Sequence, residues 1–224
     1  MTILKLGLFI LLICVSCAAQ SIIVPPQFRD TFGSRGETFL DTQVIYSSNL
    51  FAAAEGNELM LTAVSFRTDE SERVAMTTLI PRVVIGISTT TKQMPELNSS
   101  QEFNRGADFR VVADLRQLPY AAKAGGSLDP NFRLAFQEPY IYHRDQGNLV
   151  LDIDVTGGSS PIFDLDAHGY VTQPEIRSVK MTFNGYTIID QGLIAQFDYT
   201  VVPEPPSWTL MLLSGLSLLF RRRS

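Results

Sequence analysis

The sequence predicts an all-β fold, a single jelly-roll-like β-sandwich. Apolar and polar residues alternate along residues 148–155, and they do so again along residues 177–183 and 193–201. Strict alternation over such short runs is typical of strands that bury one face in a core. Asn184-Gly185 lies between two such runs, and this dipeptide is the strongest short hairpin signal. About nine or ten short strands joined by short turns favour a sandwich over other all-β architectures.

The remaining elements follow the same pattern. In residues 148–155 the apolar side chains of Leu149, Leu151 and Ile153 point one way, and the carboxylates of Asp152 and Asp154 point the other. Further strands are predicted over residues 42–47, 59–67, 83–88, 109–115 and 132–137. Glycine pairs predict turns at residues 125–126 and 157–158, and residues 49–55 are expected to form one helical turn at most.

The C-terminal residues have the order of a membrane-sorting signal. Pro203, Glu204 and Pro205 precede an apolar run of 13 residues from Trp208 to Phe220, and Arg221, Arg222 and Arg223 follow it. A helix through that run is about 20 Å long, shorter than a comfortable membrane span. The three arginines place this end in the cytoplasm. The prolines are then expected outside the bilayer in an extended form that a processing enzyme can hold.

The N-terminus predicts export. Lys5 precedes an apolar run over residues 6–15, and small residues suitable for cleavage follow at residues 16–19. This order is typical of a secretory signal peptide over residues 1–19, with cleavage after Ala18 or Ala19. A lipoprotein with Cys17 acylated is the alternative. Both cysteines of the chain, Cys14 and Cys17, lie in this segment, so the exported chain depends on its apolar core and not on disulfides.

The tail resembles the PEP-CTERM sorting signal of Gram-negative bacteria. The resemblance rests on the Pro203-Glu204-Pro205 motif, the apolar helix and the three terminal arginines. It implies that an exosortase, a membrane-embedded cysteine transpeptidase, processes the tail after passage through the Sec translocon. It also implies an inner-membrane-anchored precursor and a mature protein at the cell surface or outside the cell. A plain tail anchor is the alternative.

A weaker resemblance extends into residues 20–201, which are expected to form one domain ahead of the sorting signal at residues 202–224. Residues 43–46, 64–67, 87–90 and 147–152 are similar to a domain found in PEP-CTERM proteins. These positions suit strands and turns and do not form a catalytic set. This weaker resemblance therefore supports the fold and adds little chemistry. The resemblance of the tail implies a structural or adhesive role for the body, with an exopolysaccharide as a candidate partner.

The charge of the body excludes some partners. The chain has 18 basic and 23 acidic residues. The predicted signal peptide and tail account for four of the basic residues, Lys5 and the three terminal arginines, and for one acidic residue, Glu204. The body keeps 14 basic and 22 acidic residues, a formal charge of −8. Such a surface repels nucleic acid and anionic lipid, so no nucleic-acid partner is expected. It is compatible with cations and neutral glycans.

One acidic segment has the spacing of a calcium loop. Asp164, Asp166, His168, Gly169 and Glu175 follow the EF-hand pattern, with histidine in place of one oxygen ligand. Calcium at Asp164, Asp166 and Glu175 is therefore a hypothesis. The alternative is an acidic surface loop between strands.

Other side chains carry groups that could support chemistry or ligand binding. Asp152 and Asp154 have the separation of glycosidase carboxylates, but a solvated sheet face has the same pattern. The two histidines, His143 and His168, do not define a triad or a zinc site. Sugar stacking is a second possibility for five aromatic residues: Phe136, Tyr140, Tyr142, Tyr170 and Tyr186. We therefore expect a body that is not an enzyme, with a glycan-binding or glycan-hydrolysing domain as the alternative.

Overall fold

The structure is a computed structural model, and its strands confirm the all-β prediction. It describes residues 19–38, 41–156, 164–169, 175–182, 185–189 and 191–202. The predicted signal peptide up to Ala18, the whole of the Pro203–Arg223 sorting signal, and Tyr170 lie outside these residues. No helix in the described ranges is both long and apolar enough to cross a membrane.

The described residues form thirteen strands. They are β1 (Gln20–Val24), β2 (Arg35–Thr38), β3 (Thr42–Tyr46), β4 (Glu58–Phe66), β5 (Met76–Thr90), β6 (Arg110–Ala122), β7 (Phe132–His143), β8 (Asn148–Thr156), β9 (Asp164–Gly169), β10 (Ile176–Thr182), β11 (Gly185–Ile189), β12 (Gln191–Leu193) and β13 (Ala195–Val201). One short α-helix, α1 (Gln101–Asn104), and four 3₁₀ turns accompany them in the described part of the chain.

The strands pair antiparallel in three sheets. A four-stranded sheet has the order β1-β13-β4-β7, and a six-stranded sheet has the order β11-β10-β3-β8-β5-β6. A small third sheet has the order β12-β9-β2. The strands on both sides of the predicted hairpin, β10 and β11, pair antiparallel with Thr182 opposite Gly185. Asn184 itself lies outside the described residues.

One apolar core joins the four-stranded and six-stranded sheets. Leu149, Leu151 and Ile153 of β8 enter it, as the alternation of that strand predicts. Phe197 of β13 reaches across from the other sheet, where its ring lies 5.5 Å from that of Tyr46. The Tyr46 hydroxyl donates to the carbonyl of Leu193 at 2.9 Å, so even this buried phenol is satisfied. Burial raises its pKa.

The outer face of the six-stranded sheet carries a second, smaller apolar cluster. Ile45, Val150 and Val179 lie on this face of the sheet, away from the main core, and Met94 and Leu97 pack against them. Met94 and Leu97 belong to residues 91–109, the long connection from β5 to β6, which we call the covering segment. Because this segment lies across the sheet, part of a face that the sequence predicts to be solvated is buried.

Two local predictions need correction. Asp164–Gly169, expected in a loop, is strand β9, paired with β2 on one side and β12 on the other. Tyr140 and Tyr142, considered as sugar platforms, are buried in the main core, where tyrosine rings supply packing area and keep their hydroxyls bonded. Phe136 is half-buried and packs against the same core.

Candidate functional site

The covering segment begins with a capped turn. A 3₁₀ helix over Met94–Glu96 carries a capping box, in which the backbone N–H of Gln93 donates to the Glu96 carboxylate at 2.9 Å. Pro95 fits the start of this turn because its fixed φ suits a first helical position. The turn directs Met94 onto the sheet, and the chain then continues through residues 97–100 to α1.

Beneath the covering segment lies a network of buried amides and a carboxylate. The Gln43 side chain on β3 donates to Asp152 Oδ1 on β8 at 2.5 Å and to the carbonyl of Gln101 at 3.0 Å. Asn104 on α1 donates to Gln43 Oε1 at 2.9 Å and to the carbonyl of Asn98 at 2.7 Å. Gln43 and Asn104 are both fully buried. Buried amides joined in this way hold the segment in one position on the sheet.

Arg105 completes the network at its edge. Its Nε donates to Asp152 Oδ2 at 2.6 Å, and its guanidinium carbon lies 4.1 Å from the centre of the Phe109 ring. Phe109 fits there because Gly86 on β5 lacks a Cβ atom, which would otherwise approach the ring to 2.6 Å. The guanidinium is therefore fixed on two sides and stays 29% exposed.

Asp152 is engaged through both oxygens. Burial raises its pKa, while the hydrogen bond from Gln43 and the charge of Arg105 act in the opposite direction. The carboxylate is only 7% exposed, whereas Asp154, two residues along the same face, is exposed. The two aspartates thus do not form the solvated pair that the sequence suggests, because the covering segment buries one of them.

An open cavity of about 470 Å³ lies beside this network. Its lining residues all come from the covering segment: Ser99, Ser100, Gln101, Glu102 and Arg105. They offer hydroxyl, amide and guanidinium donors together with hydroxyl, amide and carboxylate acceptors. Sequence reasoning missed this site because no motif marks it, although the long connection between two strands was a signal.

A second buried polar group lies at the small sheet. Arg67 Nε donates to Asp166 Oδ2 at 2.5 Å, and the side chains of the two residues are 2% and 0% exposed. The other Asp166 oxygen accepts from the backbone N–H of Gly33 at 2.8 Å. Burial raises the pKa of Asp166, and the charge of Arg67 acts against this shift.

This arrangement bears on the calcium hypothesis. Both oxygens of Asp166 are occupied by protein donors, and Glu175 is exposed at the start of β10. Asp164 and Asp166 extend along a strand, whereas an EF-hand loop wraps its oxygens around the ion. Over the described ranges, no three His, Cys, Asp or Glu side chains are grouped as a metal site.

The two histidines lie apart. His143 at the end of β7 has its Nδ1 3.3 Å from Glu58 Oε1. His168 on β9 packs against the ring of Phe28 at 4.7 Å, and burial lowers its pKa. Neither has a hydrogen bond or ion pair with Asp152 among the described residues, and the buried Nδ1 of His168 has no hydrogen-bond partner there.

Asp108 fastens the far end of the covering segment to the core. Tyr140 donates to Asp108 Oδ2 at 2.6 Å, and its hydroxyl lies 2.8 Å from Thr89 Oγ1. Burial acts to raise the pKa of Asp108, but these bonds and the N–H of Thr89 at 2.9 Å bring it below its ordinary value. Asp108 is therefore a structural anchor.

Comparison with protein-family models, with curated proteins and with solved structures finds no match for this chain.

Proposed function

We propose that this chain is an exported surface or extracellular-matrix protein, sorted by an exosortase through its C-terminal tail. Its body is a jelly-roll-like β-sandwich with a structural or adhesive role and no catalytic activity. The tail motif Pro203-Glu204-Pro205, the apolar run and the terminal arginines support the sorting step. The mature protein lies at the cell surface or in the matrix.

The strand order supports the jelly-roll topology. With the inserted strands β9–β12 and the short β2 left aside, eight strands remain, ordered β1-β13-β4-β7 and β3-β8-β5-β6. Numbered along the chain, these orders are 1-8-3-6 and 2-7-4-5, the arrangement of two interleaved Greek keys. Folds of this type serve many functions, so the topology limits the architecture and not the activity.

The observation that carries the proposal is the position of the domain between its two sorting segments. β1 begins at Gln20, directly after the predicted cleavage site, and β13 ends at Val201, directly before Pro203. β1 and β13 are antiparallel neighbours, with Gln20 opposite Tyr199. The domain therefore starts and finishes at the same end of one sheet, which suits a body held at the membrane by its tail until processing.

The hydrogen bonds of two buried carboxylates, Asp152 and Asp166, support a non-catalytic body. A glycosidase needs one carboxylic acid and one free carboxylate facing the sugar. Asp152 is bonded to Gln43 and Arg105, and Asp166 is bonded to Arg67 and Gly33. A hydrolytic body remains the alternative. It predicts turnover of a polysaccharide that Asp152→Asn abolishes.

Mass spectrometry of the mature C-terminus tests the sorting proposal. We expect cells with a functional exosortase to yield a chain that ends near Pro203, recovered outside the inner membrane. Cells without the enzyme should retain the full tail in the inner-membrane fraction. A chain that reaches Ser224 in normal cells would contradict the proposal and leave a plain anchor.

A further inference from the structure

The cavity on the covering segment has the features of a ligand site. It is formed by residues 99–102 and 105, which the buried network of Gln43, Asn104 and Asp152 holds against the sheet. Its volume of about 470 Å³ lies in the usual range for small-ligand sites.

The guanidinium of Arg105 is presented to the cavity in a fixed orientation. Asp152 holds its Nε and the Phe109 ring holds its face, so little rotamer freedom is lost when a ligand binds. Among the described residues its two terminal nitrogens have no hydrogen-bond partner. They are donors of fixed geometry at the wall of an open cavity.

The other lining groups indicate which ligand fits. Ser99 and Ser100 supply hydroxyls that both donate and accept, Gln101 supplies an amide, and Glu102 supplies an acceptor. A wall that offers both donors and acceptors within one cavity suits the hydroxyl groups of a saccharide, which donate and accept. An apolar ligand could not form hydrogen bonds with these hydroxyl, amide and charged groups.

The charges favour a neutral saccharide over an acidic one. The positive charge of Arg105 is already balanced by Asp152 at 2.6 Å, and Glu102 adds a second carboxylate to the lining. The body as a whole carries a formal charge of −8, which repels polyanions. A uronate or sulfated glycan would meet this repulsion, and a neutral glycan would not.

We propose that the cavity formed by Ser99, Ser100, Gln101, Glu102 and Arg105 binds a neutral saccharide. This inference rests on the proposed role at the cell surface, because it names the polymer class to which the body adheres. The binding needs no processing of the tail. Its test is therefore independent of the sorting experiment.

The test is retention of the full chain, purified in detergent, on immobilised glycans. The probes are the neutral and acidic polysaccharide fractions of the producing cells' own matrix, with maltohexaose, cellohexaose and oligogalacturonate as defined oligosaccharides. We expect binding to at least one neutral probe and none to oligogalacturonate. Absence of binding to every neutral probe, or stronger binding to the acidic fraction, would overturn the inference.

A pair of arginine variants assigns the binding to the cavity. Arg105→Lys keeps a positive charge opposite Asp152 but removes the two terminal donors, so affinity should fall about tenfold or more. Arg116→Lys makes the same change at an exposed arginine on β6 that does not line the cavity, and affinity should not change. Glu102→Gln, at an exposed position, should weaken neutral-glycan binding without altering the unfolding midpoint. Equal affinities of the Arg105→Lys variant and the wild type would overturn the assignment.

Discussion

At the scale of single residues, the buried pair Arg67–Asp166 is the most consequential ionic contact. Two charges removed from water are tolerated because each is met by an opposite charge and by backbone groups. Arg67 also donates to the carbonyl of Thr31 at 2.5 Å, and Asp166 accepts from Gly33 at 2.8 Å. Removing one partner leaves the other charged, buried and uncompensated.

Asp166→Asn should therefore lower the free energy of unfolding by about 3–5 kcal/mol. The measurement is urea unfolding followed by tyrosine fluorescence or circular dichroism. Asp114→Asn is the matched control, because Asp114 forms its ion pair with Arg82 at the surface, where water replaces the lost partner. Similar losses in the two variants would show that burial does not set the strength of the Arg67 pair.

The pH dependence of stability should report the burial of Asp152. Its pKa is raised by burial in the folded protein, so between its ordinary value near 4 and the raised value the folded state holds more protons than the unfolded state. The free energy of unfolding contributed by this group therefore falls as pH rises through that window. Below the window, where Asp152 is protonated in both states, its contribution to the free energy of unfolding has its full value.

Asp152→Asn should remove this part of the profile. An amide titrates in neither state, so the wild-type free energy of unfolding minus that of the variant should decrease from about pH 4 upward and then level off. The measurement is urea unfolding of both proteins at closely spaced pH values. A difference that stays constant with pH, or that increases, would contradict the raised pKa of Asp152.

Asp152 also shows what residue patterns can and cannot predict. Alternation along β8 correctly gives its face of the sheet, because side-chain direction is a local property of a strand. Its burial depends on Arg105 and Asn104, which approach from a distant part of the chain. No local pattern encodes such a cover, so the interpretation as a solvated face was wrong for Asp152 and right for Asp154.

At the scale of elements, the covering segment depends on a few polar tethers. Asn104 is the central one, since its side chain donates to Gln43 and to the carbonyl of Asn98 and accepts from the N–H of Asn98 at 2.7 Å. Few apolar residues of the segment reach the sheet beyond Met94 and Leu97. Loss of the tether should therefore release the segment before the sheets.

Asn104→Ala should open residues 97–106 while the sheets persist. We expect a loss of about 1–3 kcal/mol from the buried groups left without partners. Amide exchange followed by mass spectrometry should become faster in this segment and remain slow in β4 and β8. Asn49→Ala, at an exposed position outside the segment, serves as the control. Uniform acceleration over all strands would mean that the segment does not open independently.

Element prediction was accurate where the periodicity is local and strong. β3, β4, β8 and β10 begin and end within one or two residues of the predicted runs. Alternation located β8 and β10, and short apolar runs located β3 and β4, where β3 is buried at every position. β9 was missed because its acidic, glycine-containing sequence has the spacing of a calcium loop. Pairing with β2 and β12, together with the ion pair of Asp166, outweighs that local preference.

At the scale of the whole molecule, the last strand of the domain is not at an edge. β13 lies between β1 and β4, and its Phe197 and Tyr199 are buried in the shared core. β1, the first strand, has no partner other than β13 in the four-stranded sheet. The first strand therefore cannot pair, and the core cannot close, until the final strand is in place. Most contacts in the fold join residues far apart in sequence.

Under the proposed export and sorting, this strand order determines when the sandwich can close. A chain that leaves the Sec translocon from its N-terminus places β13 outside only when the predicted tail helix has reached the membrane, because few residues separate Val201 from Trp208. The sandwich is thus expected to close while the precursor is anchored. In the proposed precursor, anchoring would keep the incomplete sheet edge at β4 away from other chains until β13 pairs with it.

Truncation tests this dependence. A chain that ends at residue 194 lacks β13, so it exposes the hydrogen-bonding edge of β4, removes Phe197 and Tyr199 from the core, and leaves β1 unpaired. We expect no cooperative unfolding transition and rapid proteolysis. A chain that ends at residue 202 keeps β13 and should match the urea midpoint of the full chain. Both truncations lack the predicted tail, so any difference between them belongs to β13. A cooperative transition in the shorter chain would show that the fold closes without its last strand.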